Sequence, residues 1–272
     1  MKIITGFMPP SSGSVKIAGY DVVSESLQAR KKIGYLPETV PLYTDMIVNE
    51  YLHFMGKIRG MSNSKIKRRI DDVIGLCGLG VYRNSIIGKL SKGFRQRLGI
   101  AQAILHEPEI LVLDEPTIGI DPIQVVETRD LIKSLKGNHT LIVSTHILPE
   151  ASAICDRVII IHEGEIVAID SPDQLGNRLR GSSLIEIDIR GPRKQVVKGL
   201  QSLDGVKKVM RVTGDEDGTA TYSVDTDQDI DVAPKLANLV VNSGWDLRRL
   251  EKLGMTLEEI FLKLTTSEEL IK

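Results

Sequence analysis

Aromatic residues are scarce in this chain: four phenylalanines, six tyrosines and one tryptophan, 4% of 272 residues. Its cores must therefore be aliphatic, and Trp245, heading an apolar stretch, reads most simply as a core residue. Cysteine is nearly absent too. Cys77 and Cys155 stand far apart with no paired motif around them, which excludes a disulfide scaffold and leaves small core residues in a reducing compartment. Apolar runs such as 110–113 and 158–161 are far short of the ~20 residues that span a bilayer. The N-terminal residues lack the apolar core and cleavage site of a signal peptide. An excess of charge of one sign is missing as well: 35 Lys and Arg against 36 Asp and Glu give a net charge of −1, no hint of a nucleic-acid or membrane-surface partner. The expected location is cytoplasmic, with any membrane contact borrowed from a partner.

What is present fits an ordinary globular protein: 42% apolar and 26% charged residues, at a length that predicts one to two domains of about 150 residues. Residues 1–40 read as the tail of a helix, a Pro-Pro-Ser-Ser-Gly turn and short strands. From 47 to 59 the period becomes helical, with Val48, Tyr51, Leu52, Met55 and Ile58 on one face. From 64 to 77 the same holds for Ile66, Ile70, Val73, Ile74 and Cys77. Strand and helix then alternate. Residues 110–113, 141–143 and 158–161 read as buried strands of one parallel, helix-covered sheet. Asp121 followed by Pro122 is a helix start, with Asp as the cap and Pro in the first helical position.

Near Gly181 the pattern shifts to strand, helix, strand, strand, helix, strand up to residue 250, a βαββαβ order of ferredoxin-like type. Thr256 and Glu259 form a capping box for a last helix. The fold class is thus α/β, a parallel sheet with a helical insert (about 41–105), plus a small α+β tail. The expected domains are 1–175 and 183–265.

The chemistry gathers at strand ends. Residues 110–117 read Ile-Leu-Val-Leu-Asp-Glu-Pro-Thr, a buried strand that delivers Asp114 and Glu115 to the C-terminal edge of a parallel sheet, where such sheets bind ligands. Asp114 can hold Mg²⁺ through its water shell, and Glu115 can polarise a water. Upstream, Leu90-Ser91-Lys92-Gly93-Phe94 opens a helix, which suits an anion but, read in isolation, is more often a plain capping serine. Downstream, Leu-Ile-Val-Ser-Thr-His ends at His146, a possible donor to a phosphate. The acids at 225, 227, 229 and 231 lack the Gly and Glu of a calcium loop, and the basic run 65–69 reads as a solvated helix face.

The order Tyr35-Leu36-Pro37-Glu38, Leu-Ser-x-Gly, Leu-Asp-Glu-Pro-Thr, Gly119-Ile120-Asp121-Pro122, Ser-Thr-His146 resembles the ABC ATPase cassette over residues 1 to about 170. The resemblance implies a RecA-like P-loop NTPase sheet, ATP and Mg²⁺ as ligands, and a homo- or heterodimer of ATPase subunits. The dimer would sit on the inner face of the membrane against separate permease subunits, with no nucleic-acid partner. By the same resemblance Ser91 and Gly93, with Lys92 and Phe94 between and after them, form the signature motif that closes over ATP held by the opposite subunit. Asp114 is the magnesium residue, Glu115 the catalytic base, Asp121 the D-loop residue and His146 the switch histidine.

The pattern departs from the family in places. Lys92 and Phe94 stand where the family has Gly and Gln, and Glu38 stands where it has a glutamine, leaving a carboxylate that can take a metal or a water. No Gly-x-x-x-x-Gly-Lys-[Ser/Thr] occurs in these 272 residues. The resemblance therefore implies a chain beginning just past its phosphate-binding loop, deficient in ATP binding as it stands. The tail, the signature and Glu38 look like the ATPases of type 2 exporters (sodium, drug, gliding-motility systems). A soluble ABC ATPase unconnected with transport, and a non-catalytic relic lending its signature to a partner, remain as alternatives.

Overall fold

The computed structural model describes residues 1–180, 183–214, 218–227, 230–253 and 256–266. The chain divides into two compact units, Met1–Ile154 and Cys155–Lys272.

In the first unit, residues 1–6 form only a tight turn, with the Thr5 N–H donating to the Met1 carbonyl at 3.1 Å, rather than the helix tail expected. A short hairpin of β1 (Lys16–Ile17) and β2 (Tyr20–Asp21) follows, then α1 (Ser26–Lys31) and β3 (Ile33–Leu36). The helical insert consists of α2 (Val48–Ile58) and α3 (Asn63–Leu76). Val48, Tyr51 and Leu52 of α2, and Ile66, Ile70, Val73 and Ile74 of α3, are buried, as the helical spacing requires. Helix α4 (Lys92–Ile104) is the most buried helix of this unit and packs on β3. Then come β4 (Ile110–Asp114), α5 (Pro122–Ser134), β5 (Thr140–Ser144) and α6 (Leu148–Ile154).

Strands β3, β4 and β5 form a three-stranded parallel sheet in that order, with Leu36 opposite Leu113 and Asp114 opposite Ser144. Leu111, Val112 and Leu113 are fully buried because the central strand is covered on both faces. Each such side chain contributes about 1.5–3 kcal/mol on burial. The register brings the ends of all three strands, and the loops beyond them, to one edge.

Residues 158–161 do not join this sheet. They belong to β6 (Val158–His162), which pairs antiparallel with β7 (Glu165–Asp170) in a two-stranded ribbon of the second unit. Val158 and Ile160 are buried while Ile159 and Ile161 are exposed, so the run has the period of a one-sided strand. Four consecutive β-branched residues hide that period.

After α7 (Pro172–Arg180), the chain runs β8 (Ser183–Arg190), α8 (Arg193–Gln201), β9 (Val206–Gly214), β10 (Thr219–Thr226), α9 (Ala233–Asn242) and β11 (Asp246–Leu253). The four strands form an antiparallel sheet in the order β11-β8-β10-β9, the ferredoxin-like arrangement. Ile185, Ile187 and Ile189 point to one face and form a core with Val196 and Leu200 of α8 and Leu236 and Val240 of α9. Alternate residues carry charge, and Arg249 reaches Asp188 at 2.9 Å and Glu186 at 2.8 Å. Helix α10 (Leu257–Thr266) opens on the reciprocal bonds of Thr256 and Glu259, at 3.0 and 3.2 Å. Of the alternating acids, Asp227 pairs with Lys207, and Asp229 lies outside the described residues. The basic run is ion-paired, Lys65 with Glu107 and Arg69 with Asp72.

Candidate functional site

Four of the residues singled out in the sequence meet at the C-terminal edge of the parallel sheet. Asp114 is the last residue of β4, and its Oδ1 accepts a hydrogen bond from the Ser144 hydroxyl at the end of β5. The Tyr35 phenol bonds to the same carboxylate from β3. Burial first, and the negative charge of Asp114 second, push its ionisation above the usual phenol range. Asp114 is thus fixed by both neighbouring strands.

Glu115 is bent sharply at the backbone. Its φ of +47° lies in the left-handed region that favours glycine. Its N–H is held by the Ser144 carbonyl at 3.1 Å. The side chain is only 16% exposed; Oε1 lies 2.8 Å from His146 Nδ1, and Oε2 is buried with no hydrogen-bond partner. A buried carboxylate oxygen whose lone pairs meet no donor is unusual.

His146 follows β5 and is 64% exposed. Its pKa is raised, first by the hydrogen bond to Glu115 and then by that carboxylate's charge. Desolvation opposes the rise, and Glu150 and Glu38 assist it. Glu38, exposed just after β3, thereby counts among the charges of this edge. Because the folded value lies above the unfolded one, the pair stabilises the fold below about pH 6.5. The contribution is lost as pH rises through the folded value. An NMR titration of His146 is expected to give a midpoint above the ordinary histidine value, and Glu115→Gln should bring it back down. An unchanged midpoint would dismiss the pair.

The other predicted residues sit at two helix starts. Ser91 caps α4, its hydroxyl accepting from the Phe94 N–H at 3.4 Å. Asp121 caps α5, Oδ1 accepting from the Gln124 N–H at 3.0 Å. Ser91, Lys92 and Asp121 are exposed, whereas Gly93 is buried against α5. The ring of Phe94 packs on Tyr82 with centroids 4.3 Å apart and carries the Arg97 guanidinium 5.6 Å above it.

Several groups escaped the motif reading. Ser144 sits inside Leu-Ile-Val-Ser-Thr-His, and its register opposite Asp114 was readable from two parallel strands ending together. Thr117 hydroxyl donates to the buried Glu150, tying the loop after Glu115 to α6. No local signal marks Glu150.

A family model described as ABC transporter matches residues 1–118. The bacitracin transport ATP-binding protein BcrA of Bacillus licheniformis is 34% identical over 266 residues, 97% of this chain and 83% of that protein. The chain belongs to the ATP-binding subunits of ABC transporters. Nod factor export ATP-binding protein I of a Rhizobium species is 31% identical over 272 residues, 98% of this chain and 82% of its own. A solved ATP-binding subunit of an ABC transporter superposes with a TM-score of 0.59 at 30% identity, covering 65% of this chain and 74% of that one.

Family membership makes this an ABC-type ATPase with a P-loop NTPase sheet, whose substrate is ATP bound with Mg²⁺. The donors present fit such an ion. Asp114 offers a carboxylate oriented by the Ser144 hydroxyl and the Tyr35 phenol. Among the described residues no three His, Cys, Asp or Glu side chains cluster tightly enough to cage a metal. Mg²⁺ keeps several of its waters and is held through one or two carboxylates and the phosphates of its nucleotide. No helix among the described residues is long and apolar enough to cross a membrane.

Proposed function

We propose that this subunit hydrolyses ATP to drive export through a separate membrane permease, against which it docks as a dimer on the inner face of the membrane. The observation that carries the catalytic part is Glu115: a strained, buried carboxylate with one oxygen on His146 and the other unpartnered. In this reading Glu115 Oε2 accepts a proton from water as the water oxygen bonds to the γ-phosphorus. The bond from that phosphorus to the β–γ bridging oxygen breaks, leaving ADP and phosphate. His146 donates to a γ-phosphate oxygen while Glu115 orients its ring. Asp114, with Glu38 at the same edge, would hold Mg²⁺, whose charge would offset that building up on the phosphate oxygens. Ser91 and Gly93, flanked by Lys92 and Phe94, offer a helix start to the phosphates of ATP held by the opposite subunit. Asp121 lies at the dimer seam.

Export is supported by the Nod factor relative, named for export, and by the bacitracin transport relative. Residues 1–175 would form the ATPase domain. Residues 183–265 would be a separately folding accessory unit, and an excised tail without a calorimetric transition would refute that. The functional test uses inside-out vesicles. The subunit is expected in the membrane fraction only when a permease with about six apolar stretches of ~20 residues is co-expressed. Alkaline carbonate should release it, and substrate uptake should require ATP. Equal membrane recovery without permease, or uptake indifferent to ATP, would overturn the reading.

A further inference from the structure

The first turn of α4 and the first turn of α5 are pressed together without any backbone pairing. A Cβ on residue 93 would overlap Gln124 Oε1 outright and come within 2.6 Å of its Cδ. The Gln124 amide therefore lies over the bare Cα of Gly93, and its Oε1 is buried with no hydrogen-bond partner. A second contact mirrors the first. Gly119, at φ +67°, has the Lys92 ammonium where its own Cβ would be, with Lys92 Cε at 3.4 Å. A third lies one turn along, where Arg97 pairs with Glu127.

We propose that Gln124 is a positioning residue that clamps the signature turn to the D-loop turn of the same subunit. Its backbone N–H holds the Asp121 cap while its side chain seats Gly93, so Ser91, Gly93 and Asp121 move as one piece. Lys92, which stands where the family has glycine, adds a tether onto Gly119. Gly93 is then glycine for a reason inside its own chain: the Gln124 side chain, as it lies, occupies the place of a methyl group. The proposal rests on the reading of Ser91 and Gly93 as phosphate contacts, and the test separates the two.

The test is a double-mutant cycle on the full chain. Trp245, the one tryptophan, lies in the tail, so melting is followed by calorimetry rather than by its fluorescence. Gly93→Ala is expected to lower Tm by about 3–8 °C, as overpacking does. Adding Gln124→Ala should remove most of that loss, because Gln124 Cβ lies at a tolerable 3.4 Å from the new methyl. Gln124→Ala alone should speed amide exchange at residues 93–95 by about 5–50-fold, with α3 unchanged. In the assembled transporter it should lower kcat by a similar factor while ATP affinity holds.

A harmless Gly93→Ala, or a loss that Gln124→Ala fails to relieve, overturns the clamp. Unchanged exchange and kcat in Gln124→Ala overturn the positioning role. A double variant with lower kcat than Gln124→Ala supports Gly93 as a phosphate contact as well. Equal kcat in the two keeps the clamp and removes Gly93 from that contact.

Discussion

In a version of the subunit that carries a phosphate-binding loop, Glu115→Gln is expected to slow ATP turnover of the assembled transporter by about 10²–10⁴-fold, the usual contribution of a positioned base. ATP should still bind. Amide and carboxylate are nearly the same size, and an amide oxygen at the Oε1 position still accepts from His146 Nδ1, now 2.8 Å away. What changes is the other atom. Oε2 is buried and unpartnered, and an NH₂ group there cannot take a proton from water. The variant should therefore accumulate ATP-bound dimer, with single-turnover phosphate release slowed as much as steady-state release. Phosphate release near the wild-type rate would take the role away from Glu115. Loss of ATP binding would instead point to a structural part for the carboxylate.

The edge of the sheet was legible because its motifs lie at strand ends, and strand ends are readable from short apolar runs. Residues 110–113 predicted where Asp114 would be, and parallel pairing with residues 141–143 then brought His146 to the same edge, where it meets Glu115. The strain at Glu115 was not legible. A φ of +47° at a glutamate has no sequence signature, since it comes from the Ser144 carbonyl capturing the Glu115 N–H. Gln124 was invisible for a related reason. Gly93 resembles a motif glycine, and nothing local reveals that a side chain from a helix 31 residues on fills the space of its missing Cβ. The run at 158–161 misled in the opposite sense. Four apolar β-branched residues read as buried on both faces, but exposure of Ile159 and Ile161 depends on which strand pairs with them.

The chain should also lose stability in mild acid through His106, at the junction of α4 and β4. Only an N–H can bond to a carbonyl, so His106 Nε2 donates to the Ile33 oxygen at 3.1 Å and ties the end of α4 to β3. Nδ1 is then the unprotonated nitrogen, and it is buried with no partner. Protonating it would put a positive charge in a desolvated site that also faces Arg59, Lys65 and His139. Burial first and those charges next bring the pKa down to about 4, against the bond to Ile33, which favours the charged form. The folded value lies below the unfolded one, so between about pH 4 and 6.5 the unfolded chain binds the proton that the folded chain refuses. Stability from this group is complete above about pH 6.5 and drains away as pH falls, by about 2 kcal/mol at pH 5. His106→Gln can keep a donor to the Ile33 carbonyl but cannot titrate. Calorimetric melting at pH 7.5 and pH 5.0 should show the wild-type chain losing about 4–8 °C more than this variant over that interval. Carboxylate ion pairs such as Lys65–Glu107 are common to both proteins and cancel in the comparison. Equal losses in the two would mean that His106 is already charged in the folded state, with an acceptor for its Nδ1 proton.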